Sequence, residues 1–192
     1  GMTKWDYACF LVTCLAYLML KQQDAVGLAL FGSTPGVMVP PRCRNTHLHR
    51  IMRVMVQNPP SGATAISSSL QAMLRRIKRR SLVVLVSDLL DDPEETIKTI
   101  RLFAGHRHEV LVFHIQDPVE IDFNFEGAAL FKDLETGEEL EVDPLALRDT
   151  YRQRAAEAQE FFRKGLSEMK IDYQPLDTSR PYDLALYSYL RR

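Results

Sequence analysis

Cysteine is scarce in this sequence and its spacing carries no motif. The three residues Cys9, Cys14 and Cys43 form no C-x-x-C pair and leave an odd one over. That excludes a disulfide framework and a zinc ribbon. Cys9 and Cys14 fall inside an apolar helical pattern, so reduced, buried thiols in a cytoplasmic protein are expected. Long hydrophobic runs are also lacking. The longest, Tyr7 to Leu20, is well short of the roughly 20 residues that a spanning helix needs, and Lys21-Gln22-Gln23-Asp24 follows it where a cleavage site would have small residues. Neither a membrane span nor a signal peptide is expected. A helix apolar on nearly all sides is instead a buried helix.

Neither sign of charge is in excess. Lys and Arg number 24 against 25 Asp and Glu, a net charge of −1. The total therefore gives no global pull toward nucleic acid or an acidic membrane. The one cationic run, Arg75-Arg76-Ile77-Lys78-Arg79-Arg80, closes a helical pattern, where cations favour the macrodipole. It has no interleaved aromatics, so nucleic-acid binding is not expected. Glycine-rich nucleotide motifs are missing too: there is no G-x-G-x-x-G and no P-loop. G-x-S-x-G and H-E-x-x-H are likewise absent, and the five histidines show no ligand spacing.

What is present is a globular balance, 46% hydrophobic and 26% charged, over a length that suits a single domain spanning residues 1–192. A first helix runs to about Gln22, capped by Thr3 or Asp6. Ala25–Phe31 reads as a buried strand, the residues from Gly32 to Gly36 as a turn, and Val37–Val39 as a short return strand ended by Pro40-Pro41. Helical spacing follows over His47–Val56 and over Thr64 to about Lys78. Ser81–Val86, a β-branched run, suits a parallel strand covered on both faces. Pro93 to about Ala104 is a helix opened by proline and acids, and Glu109–Ile115 another strand. Ala128–Lys132 and Glu139–Val142 flank Glu135-Thr136-Gly137 as an antiparallel hairpin. Pro144–Met169 is a long amphipathic helix, Ile171–Pro175 a short strand, and Tyr182–Leu190 a last helix. The alternation predicts an α/β fold, a doubly wound, mostly parallel, Rossmann-like sheet with an inserted β-hairpin.

Ligand chemistry in such sheets lies at the carboxyl ends of the strands. Ser87-Asp88 ends the strongest strand, and a carboxylate there suits Mg²⁺ directly or through water. It suits equally well a loop acid that caps amides. Thr64 opens a helix after Pro59-Pro60-Ser61-Gly62-Ala63, as a metal-reaching hydroxyl or as an ordinary N-cap. A second chemistry open to these residues is metal-dependent hydrolysis by Asp88 with Asp91, Asp92 or His114, although Asp91-Asp92-Pro93 also reads as a helix start.

An ordered string of segments resembles the bacterial family called domain of unknown function fifty-eight, whose C-terminal half is a von Willebrand factor A-like domain. Among them are Lys4-Trp5-Asp6-Tyr7-Ala8, Gln23-Asp24-Ala25-Val26-Gly27-Leu28, Gly62-Ala63-Thr64, Ser87-Asp88-Leu89, His108-Glu109-Val110, Asp117-Pro118-Val119-Glu120, Phe131 to Gly137, Tyr151 and Asp177-Thr178-Ser179. The resemblance implies a metal-ion-dependent adhesion site with three parts: a D-x-S-x-S motif after the first strand, a Thr and an Asp. Thr64 and Asp88 match the last two. The sequence begins at the helix that should follow the first, so the site is incomplete, the domain is N-terminally truncated, and Mg²⁺ binding is expected to be weak or nil. The resemblance further implies a non-catalytic protein-interaction domain working with a MoxR-type AAA+ ATPase in the assembly or maturation of other proteins. Two structural expectations follow. Thr64 and Asp88 meet at the carboxyl edge of the sheet. The strand missing between Ala25–Phe31 and Leu82–Val86 leaves edges that are closed by direct pairing, by another segment, or by a second copy in a homodimer.

Overall fold

A computed structural model describes residues 2–32, 36–60, 66–125, 129–132, 139–142, 144–183 and 187. The first helix, α1 (Lys4–Lys21), is fixed at its start by a capping box: the Thr3 hydroxyl accepts from the Asp6 amide, and Asp6 accepts from the Thr3 amide. After a left-handed turn at Gln23 (φ 64°) come β1 (Val26–Ala29) and β2 (Met38–Arg42), paired antiparallel with Ala29 opposite Met38 and Val26 opposite Arg42. Strand β2 runs straight through Pro40 and Pro41, which were expected to end it. Within the described residues β2 is an edge strand, and an edge strand tolerates residues that donate no ladder bond.

Helices α2 (Thr46–Gln57) and α3 (Ile66–Arg76) follow, then β3 (Leu82–Ser87), α4 (Pro93–Gly105) and β4 (Glu109–Gln116). A five-residue helix, α5 (Pro118–Asp122), was not expected. Its signal stands in the sequence as Asp117-Pro118-Val119-Glu120, a capping box with proline at the first turn. The inserted hairpin is present as β5 (Ala129–Lys132) and β6 (Glu139–Val142). The long helix α6 (Pro144–Ser167) leads to β7 (Asp172–Asp177), and Tyr182, Asp183 and Tyr187 are helical where the last helix was expected.

The result is a mixed α/β fold with less parallel sheet than the sequence pattern suggested. Strands β3, β4 and β7 form one parallel sheet in that order, and β1–β2 form a separate pair. Side chains alternate across the parallel sheet. Val83, Leu85, Val110 and Val112 pack on one face against Leu70, Ile97, Phe103, Phe162 and Leu166 of α3, α4 and α6. Leu111, Phe113, Ile115 and Leu176 pack on the other against Tyr7 and Leu11 of α1. Helix α1 has a second apolar side, where Ala16, Trp5, Cys9 and Val12 meet Val39 of the hairpin and Ile51 and Met55 of α2. Its all-round hydrophobicity is thus used largely within one chain. Of the three ways to close the gap, the first two are not taken among the described residues. Strands β1 and β3 lie in different sheets, and no described strand stands between them.

Candidate functional site

The carboxyl edge of the parallel sheet is organised by a left-handed residue. Leu89 has φ 51°, a conformation that costs a leucine about 1–2 kcal/mol. Burial of its side chain among the residues of the α3–α4 layer and the bond from its amide to the Ser87 hydroxyl offset that cost. The turn leaves the Asp88 carboxylate at the surface and places Leu90 almost wholly in solvent, 75% exposed.

Asp88 does not stand alone. The Lys4 ammonium, at the start of α1, donates to Asp88 Oδ2 at 2.9 Å and to Glu120 Oε1 of α5 at 2.6 Å. Three elements remote in sequence are joined by one cation, with each side chain about a third exposed or less. Burial alone would lower the Lys4 pKa. The hydrogen bonds to Glu120 and Asp88 and the charges of both outweigh it and hold the pKa above the ordinary value.

Beneath this cluster lies His114 of β4, whose side chain points to the α6 face. Its Nε2 is 2.9 Å from the Asp88 carbonyl oxygen and its Nδ1 2.6 Å from the Tyr173 hydroxyl. A carbonyl only accepts, so Nε2 carries the proton; Nδ1 then accepts from Tyr173. Burial pushes the His114 pKa down, against the partial counterweight of the Asp88 carbonyl and the Asp88 and Glu120 charges, and nearby Lys4 lowers it further. The Tyr173 hydroxyl is held protonated by its own burial. Both ring nitrogens of His114 are therefore engaged, Nε2 with the Asp88 carbonyl and Nδ1 with the Tyr173 hydroxyl.

This arrangement has a pH consequence. His114, and His108 through burial and the charge of His106, bind protons less readily folded than unfolded. Between the folded value and about 6.5 the unfolded chain takes up more protons, so stability is lost as pH falls below 6.5. Urea unfolding at pH 7.5 and pH 5.5 is expected to differ by at most about 1.4 kcal/mol per histidine, and His114→Phe is expected to remove its share. An unchanged slope in that variant would contradict the neutral assignment.

Asp91 and Asp92, weighed above as partners of Asp88 in hydrolysis, act as caps. Asp91 accepts from the Ile66 amide at the start of α3, and Asp92 is the N-cap of α4, accepting from the Glu95 amide. Thr64, expected to approach Asp88, lies outside the described residues. The described residues do not by themselves fit Mg²⁺. Asp88 Oδ2 is taken by Lys4, and among the described residues no group of three or more His, Cys, Asp or Glu is placed to hold a metal. Sequence reading found Asp88 and His114 but missed Lys4 and Glu120 as site residues; the capping box around Glu120 was the available signal.

The family model described as "Protein of unknown function DUF58" matches residues 1–161. The chain belongs to the DUF58 family. It is 28% identical over 158 residues to uncharacterized proteins of Mycobacterium tuberculosis (Rv1480) and Mycobacterium bovis (Mb1516), a match covering 80% of this chain and 49% of each relative. The chain thus spans about half the length of these curated relatives. Among solved structures it resembles the conserved hypothetical protein BatB of Bacteroides thetaiotaomicron, with TM-score 0.52 and 13% identity over 90% of this chain and 80% of that one. It also resembles an aerotolerance-related membrane protein of Bacteroides fragilis, with TM-score 0.53 and 15% identity over 91% and 82%. At such identities the likeness speaks to the fold alone. No described helix of this DUF58 chain is long and apolar enough to cross a membrane.

Proposed function

We propose that this DUF58 chain is a von Willebrand factor A-like protein-interaction domain, working in the cytoplasm, that meets its partner at the carboxyl edge of the parallel sheet without performing chemistry there. The observation that carries the reading is the exposure of Leu90, Val119 and Ile121 at that edge, next to the Lys4–Asp88–Glu120 cluster. Apolar side chains standing in solvent on a braced surface, rimmed by polar groups, are what a protein-docking patch requires. The partner we favour is a MoxR-type AAA+ ATPase, on the strength of the family resemblance, in the assembly or maturation of client proteins. The open edges of β1 and β3 further support a homodimer.

The test uses a purified MoxR-type ATPase from the same organism, with the chain immobilised. The unmodified chain is expected to retain it, and Leu90→Asp combined with Ile121→Asp to weaken retention at least about tenfold, as for an exposed anchor at an interface centre. Circular dichroism would verify the fold of the variant. Equal retention by both chains, or none by either, would overturn the reading.

A further inference from the structure

The near-zero net charge conceals a sharp division. Residues 25–87 contain nine Lys and Arg and not one Asp or Glu, while residues 88–192 contain 13 Lys and Arg against 23 Asp and Glu. The fold converts this division along the chain into a division in space. The acids Asp88 and Asp91 after β3, Asp117 and Glu120 after β4, and Asp177 at the end of β7 lie at the carboxyl edge. Helix α1 descends from that edge, where Lys4 meets Asp88, and delivers the chain to the opposite end. There Arg42 stands opposite Val26, the first residue of β1, Arg44 leads into α2, and Lys78, Arg79 and Arg80 lead into β3.

All nine cations of the segment are exposed. Arg80 is paired with Glu109; none of the other eight is in an ion pair with a described carboxylate. Asp24, Glu168 and Asp172 are further acids toward this edge, too few to neutralise it. Helix α2 adds an apolar stripe. Its inner side buries His47, Ile51 and Met55, and its outer side carries Met52, 40% exposed, and Val56, 79% exposed, four residues apart on one face and flanked by Arg50 and Arg53.

We propose that the outer face of α2 together with the adjoining amino edge docks on an anionic phospholipid surface, independently of the partner site at the carboxyl edge. Unpaired cations supply attraction to lipid headgroups, and the two apolar side chains enter the headgroup boundary. Nucleic acid fits less well. Phe31 is the one aromatic in residues 25–87 and is not exposed, so this face offers no base-stacking platform, and a duplex gives Met52 and Val56 nothing to bury against.

The experiment is co-sedimentation of the full chain with vesicles of phosphatidylcholine alone and of phosphatidylcholine with about 30% phosphatidylglycerol. Binding is expected at least about tenfold stronger to the anionic vesicles and to be lost near 0.5 M salt. Arg50→Gln with Arg53→Gln is expected to weaken it about tenfold or more, at roughly fivefold per cation. Val56→Asp is expected to weaken it with every cation retained, and Asp91→Asn at the far edge to leave it undiminished. Circular dichroism would verify that each variant is folded. Equal sedimentation with both vesicle types, indifference to Val56→Asp, or preference for a DNA duplex over anionic vesicles would overturn the proposal.

Discussion

Replacing Lys4 with Met is expected to destabilise the fold by about 1–3 kcal/mol, the cost of leaving partly buried charged acceptors without their donor. The methionine keeps the apolar stem of the side chain and removes only the ammonium. Asp88 Oδ2 and Glu120 Oε1, both within hydrogen-bond reach of that one nitrogen, are then left facing each other as like charges. The cost falls short of that of a deeply buried pair because each partner is about a third exposed and water screens the repulsion. Adding Glu120→Gln to Lys4→Met removes the repulsion and is expected to restore part of the loss, so the two changes are non-additive in a double-mutant cycle. The pH dependence has a definite sign. The Lys4 pKa is raised on folding, so its contribution is complete below about 10.5 and disappears only as pH rises through the folded value. Urea unfolding at pH 7 therefore reads the whole effect. A Lys4→Met chain within about 0.5 kcal/mol of the original would show that the cluster is surface decoration.

The chain is expected to be a dimer at low micromolar concentration, with light scattering giving about twice the 22.0 kDa mass of one chain. In a parallel strand, alternate residues turn their backbone groups to opposite sides. Strand β3 satisfies one set against β4, from Leu82 opposite Glu109 to Ser87 opposite His114. No described strand takes the other set. The residues of β3 pack on one face with α3 and α4 and on the other with α1, so this open edge runs between apolar layers. An unpaired amide withdrawn from water costs about 1–3 kcal/mol, and a few such groups are enough to drive association. Amide exchange gives a second readout: alternate amides of β3 are expected to exchange quickly in dilute solution and to become protected as the dimer forms. A mass that stays at one chain across concentrations, with those amides uniformly slow, would refute dimerisation through the strand edges.

Much of the fold was legible because it is written in local periodicity. The β-branched run after Ser81 sits between helical layers as expected, since a strand without polar alternation has no face to give to water. The hairpin flanking Glu135-Thr136-Gly137 and the helix opened by Pro93 were placed by turn and cap chemistry, which acts over a few residues. Asp88 was singled out because strand ends in parallel sheets gather loops. Helix α5 was legible too, in the capping box after Asp117, and its brevity hid it.

Three things were decided only by the tertiary structure. Lys4 binds Asp88 and Glu120 across 84 and 116 positions of chain, and His114 meets Tyr173 across 59. Such partners depend on the register β3–β4–β7 and on where α1 and α5 end, and periodicity reports neither. The two-sided burial of α1 is of the same kind: the sequence shows that Leu11 and Ala16 are both apolar, but only packing assigns one to the sheet and the other to the hairpin and α2. The roles of Asp91 and Asp92 were settled in the same way, since an acid beside a helix start can cap it or face a ligand, and the nearest unsatisfied amide determines which. Sequence by itself fixed the kinds of element and their order, because backbone preference and amphipathic period are local. The ionic cluster and the core face of each helix belong to the assembled chain, because each depends on distances between elements far apart in sequence.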